Sequence, residues 1–191
     1  AAGNVPPTAF KLVPVVGAFG NSTELSFAPA VLGERISVSV RFIPQMVLLP
    51  GETITVVLAN FSGPDSAMGS ASATPPGKFR TCSWDASTSK LTLTVSESIL
   101  AFEDVTATSS TELGIRLPLT GLGSNEPSLT IASNAKRGPV LPISITRTMG
   151  VGGVLGLATL SYSNPAPLAV SRVAFTFVPL LPLRSGDYIL L

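Results

Sequence analysis

The sequence predicts an all-β chain of immunoglobulin-like antiparallel β-sandwich units in tandem repeat, and three observations predict it. Apolar residues alternate with polar ones in short runs, as where Ile36, Val38, Val40 and Phe42 enclose Ser37, Ser39 and Arg41; this is the period of a strand with one buried face. Such runs recur at roughly 8 to 12 residue spacing with turn residues between them, and 17 Pro and 17 Gly punctuate the chain. The third observation is internal. Arg35–Val57 returns as Arg172–Leu191, with Val38 matching Val173, Phe42 Phe177, Pro44 Pro179, Leu48 Leu183, Gly51 Gly186 and Ile54 Ile189, always 135 residues apart (177 − 42). One register held across core and turn positions marks a copied unit.

At the same offset Leu25-Ser26-Phe27 faces Leu160-Ser161-Tyr162. The expected division is therefore 1–35 as the tail of a preceding repeat, 36–170 as one complete unit and 171–191 as the head of the next. A unit of that length exceeds the ~100 residues of an immunoglobulin-like domain and is one large or two small sandwiches.

In chain order, Phe10–Val16 is broken by Pro14, which suits an edge or linker strand. Glu24–Ala28 is a short strand and 36–42 the first core strand. Pro50-Gly51-Glu52 turns the chain, as Ser185-Gly186-Asp187 does later, and Thr53–Ala59 resumes as a β-branched strand. Gly63–Gly77 is rich in Gly, Pro, Ser and Ala and reads as a surface loop. Lys78–Trp84 and Lys90–Val95 form the clearest hairpin, joined by Asp85–Ser89. Further strands are expected at Leu113–Leu117, Ser128–Ala132, Leu141–Ile145 and Leu157–Tyr162, with turns at Gly121–Asn125 and Lys136–Pro139. Ser98–Phe102 makes at most one helical turn.

Charged residues are 12% of the chain against 45% hydrophobic, where ordinary domains carry roughly 25% charged. Twelve Lys and Arg nearly cancel eleven Asp and Glu and are scattered singly, so no basic face for nucleic acid is visible. A surface this poor in charge needs another source of solubility, or burial in an assembly. Two Asn-x-Ser/Thr acceptor sites, at Asn21 and Asn60, offer covalent glycans as the first. No apolar run reaches the ~18 residues of a membrane-spanning helix, and the N-terminal residues lack the form of a secretory signal.

The chain contains no histidine, which excludes His-based triads, Cys-His pairs and His-containing zinc sites within it. Cys82, the single cysteine, is expected as a buried strand thiol, or as a thiol pairing with another molecule or repeat. Glu103 and Asp104 are adjacent, and neighbours on a strand point to opposite faces, so they do not flank one glycosidic bond. Asp65, Asp85, Glu103, Asp104 and Asp187 lie in or near turns without the Asp-x-Asp spacing of a calcium loop. Met149–Gly153 is glycine-rich but lacks the Lys and helix of a phosphate loop. Trp84 is expected in the core rather than as a sugar platform. Neither a catalytic set, a cofactor nor a metal is expected.

The runs CSWDASTSKLTLTV, GLGSNEPSLTIASNAKRGPV, LSYSNPAPLAVSRVAFTF and RSGDYILL resemble the long tandem β-repeats of very large surface proteins in algae and other single-celled eukaryotes. Their shared features are a W-D-x-S-T hairpin, an L-T-I segment before G-P-V and a G-D/E-x-I strand, over about residues 36–191. The resemblance implies an extracellular or cell-surface, glycosylated, fibrous or coat protein whose partners are copies of itself or neighbouring repeats. It brings no functional residues with it. The alternative is an adhesin-like module that recognises a glycan or protein through loops 63–77 and 119–126; it calls for exposed aromatics or acidic clusters there.

Overall fold

The computed structural model describes residues 17–152, 154–164, 166–168, 170–179, 183 and 185. The expected strand at Phe10–Val16 and the residues Gly186, Asp187 and Ile189 of the expected second copy lie outside them. The described residues form strands β1 (Glu24–Ala28), β2 (Ser37–Phe42), β3 (Thr53–Val57), β4 (Ser66–Thr74), β5 (Phe79–Asp85), β6 (Lys90–Val95) and β7 (Val105–Ser109). A single 3-10 turn at Thr111–Leu113 follows, then β8 (Thr130–Ser133), β9 (Val140–Ser144), β10 (Arg147–Thr148), β11 (Val154–Tyr162) and β12 (Val173–Pro179). The first ten strands make one curled sheet in the order β10-β1-β2-β7-β4-β5-β6-β3-β8-β9. Every neighbouring pair is antiparallel except β1–β10.

Alternation in the sequence explains which face turns inward. Val38, Val40 and Phe42 of β2, Leu25 and Phe27 of β1, Ile54 and Val56 of β3, and Leu91, Leu93 and Val95 of β6 are all buried in one cluster. Phe42 is fully enclosed, edge-on to Phe19 at 5.5 Å and to Phe79 at 6.3 Å between ring centroids. Phe19, Leu25 and Phe27 share this core with the residues after 36, so the segment assigned to a preceding repeat supplies β1 to the same sheet as β2.

Two strands depart from the expected layout. Residues 63–77, expected as a surface loop, contain β4, whose first half pairs with β5 and second half with β7. Its sequence SAMGSASAT has low strand propensity, but its neighbours impose the conformation, and small side chains suit the inner face at the point where the sheet turns. A Cβ on Gly69 would come within 3.1 Å of Leu113 Cδ2. The other, β7, was hidden because two of its three inward positions are Ala107 and Ser109. Ser109 is buried and its Oγ accepts the Val38 N–H at 3.0 Å. Conversely, Leu113–Leu117 is no strand; Leu113, Ile115 and Leu117 reach the core from a 3-10 turn and isolated bridges of Arg116 to Arg35 and Ser62.

The sheet's two edge strands are consecutive in the chain. Only Ile145 and Thr146 separate β9 from β10, and three residue steps span at most about 11 Å, so the sheet curls until its edges approach one another.

Strands β11 and β12 form a separate two-stranded sheet. Its register repeats that of β1–β2. Leu25↔Val40, Ser26↔Ser39 and Phe27↔Val38 correspond to Leu160↔Phe175, Ser161↔Ala174 and Tyr162↔Val173, each residue moved by 135 (160 − 25). The correspondence continues past an irregularity, for the isolated bridge Phe19↔Pro44 matches Val154↔Pro179. The divisions expected at 35/36 and 170/171 fall in the two equivalent loops, between the strands of each hairpin.

Candidate functional site

The outward faces of β1, β2 and β10 assemble the main charged cluster. Antiparallel pairing sets Glu24 opposite Arg41, and the parallel pairing of β10 sets Arg147 opposite Glu24. Arg147 Nη1 donates to Glu24 Oε1 at 2.9 Å, and Arg41 Nη1 lies 3.5 Å from the same oxygen. Asp104, just before β7, accepts from Arg41 through both its oxygens, at 2.9 Å from Nε and 2.6 Å from Nη2. That fork holds the Asp104 carboxyl below the ordinary aspartate range. The cluster borders an open groove of about 540 Å³. Its two cations and two anions balance, so this cluster gives the groove no net charge with which to steer a charged ligand.

Glu103 turns away from Asp104. Lys78 Nζ lies 2.9 Å from its Oε1, and the Leu100 N–H donates to its Oε2 at 2.8 Å. Burial alone would raise this carboxyl, but the Leu100 N–H and the Lys78 ammonium outweigh it and hold it below the glutamate range. The adjacent carboxylates are thus each committed to a different cation. Asp85 is a turn device: its Oδ1 accepts from the N–H and Oγ of Ser87, at 2.9 and 2.7 Å, and its Oδ2 from Thr88 Oγ1 at 2.8 Å. These bonds depress its carboxyl and give the W-D-x-S-T run a physical meaning, an acid that closes the β5–β6 hairpin. Among the described residues no three acidic or thiol groups converge on a metal position, and Asp187 lies outside them.

Cys82 and Trp84 face the interior on β5, each 1% exposed. The thiol donates to the Ser70 carbonyl at 3.1 Å, and burial pushes its ionisation upward, with a Ser110 backbone hydrogen bond pulling the other way. A thiol so placed can reach a cysteine in another molecule only if the core packing around β5 opens. The Trp84 indole N–H has no hydrogen-bond partner, and the ring is core rather than a platform.

No protein-family model matches this chain. Nor does any curated protein.

Asn21 lies exposed in the bend before β1, while the hydroxyl of Thr23 in the same acceptor site is buried and accepts the Thr146 N–H at 3.0 Å. Asn60 is exposed in a turn with φ of 69°, a conformation that Asn tolerates. Phe61, next to it, is buried against Phe27, so a sugar on Asn60 would stand clear of an anchored base. Of the two loops considered for ligand display, 63–77 is largely β4, and 119–126 carries one large exposed apolar side chain, Leu119. In Met149–Gly152, Val151 bridges Leu122 and a Cβ on Gly150 would lie 2.8 Å from Ser124 Oγ. These glycines allow close strand approach, and Gly153 is outside the described residues.

One organising side chain went unforeseen. Glu52 is buried, and its two oxygens accept the N–H groups of Leu49 and Lys136, both at 2.8 Å. It ties the turn before β3 to the turn before β9, and in the sequence it shows only as the acid of Pro50-Gly51-Glu52.

The remaining surface is the β11–β12 hairpin. Leu160, Tyr162 and Val173 are 49%, 55% and 52% exposed, and Phe175 stacks on Phe177 at 4.9 Å. Their counterparts Leu25, Phe27, Val38, Val40 and Phe42 are all buried. Among the described residues no helix is long and apolar enough to cross a membrane.

Proposed function

We propose that the chain is a structural segment of a tandem-repeat protein, whose β-sandwich units build an extracellular filament, surface appendage or cell coat. The observation that carries this reading is the shared register of β1–β2 and β11–β12, which coincide residue for residue at an offset of 135 (160 − 25). Two unrelated hairpins have no reason to agree in pairing, irregularity and sequence together. On this reading the repeating unit runs from about 19 to 153 and the next begins at 154, which keeps each hairpin whole. The curled sheet, turning at β4 with both halves packed on one core, is the sandwich of that unit.

The low charge content and the exposed apolar hairpin favour assembly with further copies or neighbouring repeats. Exposed Asn21 and Asn60 supply acceptor positions for the glycans of an extracellular surface. The adhesin-like alternative is weaker, since β4 occupies the larger of the loops it would display. Electron microscopy of the native material with intact-mass measurement tests the proposal. Filaments with an axial period of one unit, and sugar mass lost in Asn21→Gln and Asn60→Gln, are expected; isolated unmodified particles would overturn it.

A further inference from the structure

We propose that the apolar face of the β11–β12 hairpin is a docking surface whose occupant is a second body built like residues 45–151 of this chain. The proposal rests on the reading of the chain as a repeat and names the partner that reading leaves open.

The copied hairpin retains one face and not the other. Inward Leu25, Phe27, Val38, Val40 and Phe42 become Leu160, Tyr162, Val173, Phe175 and Phe177, so the apolar set survives entire. Outward Glu24 and Arg41 become Thr159 and Thr176, so the ion pairs of the charged cluster are gone. What is retained is therefore the face that residues 45–151 cover in the first hairpin. There, β7 pairs along β2 through Ser39↔Thr108, Val40↔Ala107, Arg41↔Thr106 and Phe42↔Val105, and Phe79 closes over Phe42. A lone two-stranded hairpin is marginal in water, and this one leaves three of its five inward residues about half exposed. The body already present is filled by β1–β2, so the occupant comes from a second one.

The two hairpins differ in volume at one inward position, where Phe175 replaces Val40. Val40 is fully buried opposite Ala107, so the second body must have more room there; forcing a larger ring into a packed core is destabilising.

A graft tests complementarity in the full-length chain. Residues 154–179 replace residues 19–44, a segment of equal length, with and without Phe175→Val. A third chain carries residues 153–178 instead, which shifts the register by one and turns the apolar set outward. Urea unfolding is followed by Trp84 fluorescence, and amide exchange by protection of β7. The Phe175→Val graft is expected to unfold in one cooperative transition as steep as that of the unaltered chain. The graft retaining Phe175 should unfold at lower urea, and the shifted graft should show no transition. Absence of a transition in both in-register grafts, or equal stability of the shifted one, overturns the proposal. Because the readout is folding and not filament formation, a failed graft beside observed filaments would sink the docking surface alone.

Discussion

Phe42 and Phe177 lie at matching positions of two hairpins that share one pairing register, yet their truncation should have unequal consequences. Phe42 is fully buried and meets Phe19 and Phe79 edge-on, at 5.5 and 6.3 Å. Removing such a ring costs about 3–5 kcal/mol through lost burial and the cavity left behind. Against a total stability of about 5–15 kcal/mol this is a large share, and with a urea slope of about 1–3 kcal/mol per molar it lowers the midpoint by roughly 2 M. Phe177 touches Phe175 within a separate sheet, so Phe177→Ala should leave the same transition unchanged to within about 0.5 kcal/mol. The assay is urea unfolding followed by fluorescence of Trp84, the one tryptophan and a core residue. Equal losses for the two variants would mean that β12 is already part of the main core, and would refute the account of the hairpin as uncovered.

Other outcomes follow from the same structure. Glu52→Ala removes the acceptor of two part-buried N–H groups and should cost about 1–3 kcal/mol in urea unfolding, with Glu52→Gln losing about half as much because one acceptor remains; a neutral Ala variant would refute the tie between the two turns. Asp85, Glu103 and Asp104 are all held below their ordinary values, so they bind protons more weakly folded than unfolded. Their contribution is present above the unfolded pKa and is lost as pH falls through the folded one: the urea midpoint should stay level down to about pH 5 and fall below about pH 4. An Asp85→Asn, Asp104→Asn double variant should show a shallower fall, and an unchanged slope would count against those partners. Cys82 should be inert to an aromatic disulfide reagent in the native protein and react fully in denaturant; rapid native labelling would show that the core around β5 opens readily.

The strands legible in the sequence were those whose inward positions are large. Val38, Val40 and Phe42, or Leu91, Leu93 and Val95, announce both period and face, and the β5–β6 hairpin was readable because Asp85, Ser87 and Thr88 carry its turn. The strands β4 and β7 were not legible, for their inner faces are mostly Ala, Gly and Ser, and only pairing with distant neighbours makes them strands. The sequence register at 135 (177 − 42) extends to the backbone pairing of the two hairpins, and the expected boundaries at 35/36 and 170/171 lie between the paired strands of each. The bond from Lys136 to Glu52 and the pairing of Glu24 with Arg147 escaped notice for one reason: the partners lie 84 and 123 residues apart in the chain.

The parallel contact of β1 with β10 joins the first strand of the curled sheet in chain order to its last. Thr23 and Thr146 exchange hydrogen bonds at 2.9, 3.0 and 2.8 Å, and the Arg147 N–H donates to the Thr23 carbonyl at 3.0 Å. Because the two strands run the same way, tension applied along the chain draws β1 backward and β10 forward past each other. The bonds between them are then loaded in shear and yield together, whereas an antiparallel pair pulled from its open end would unzip bond by bond. The shortest strand of the sheet thus sits where a stretched chain would concentrate its load.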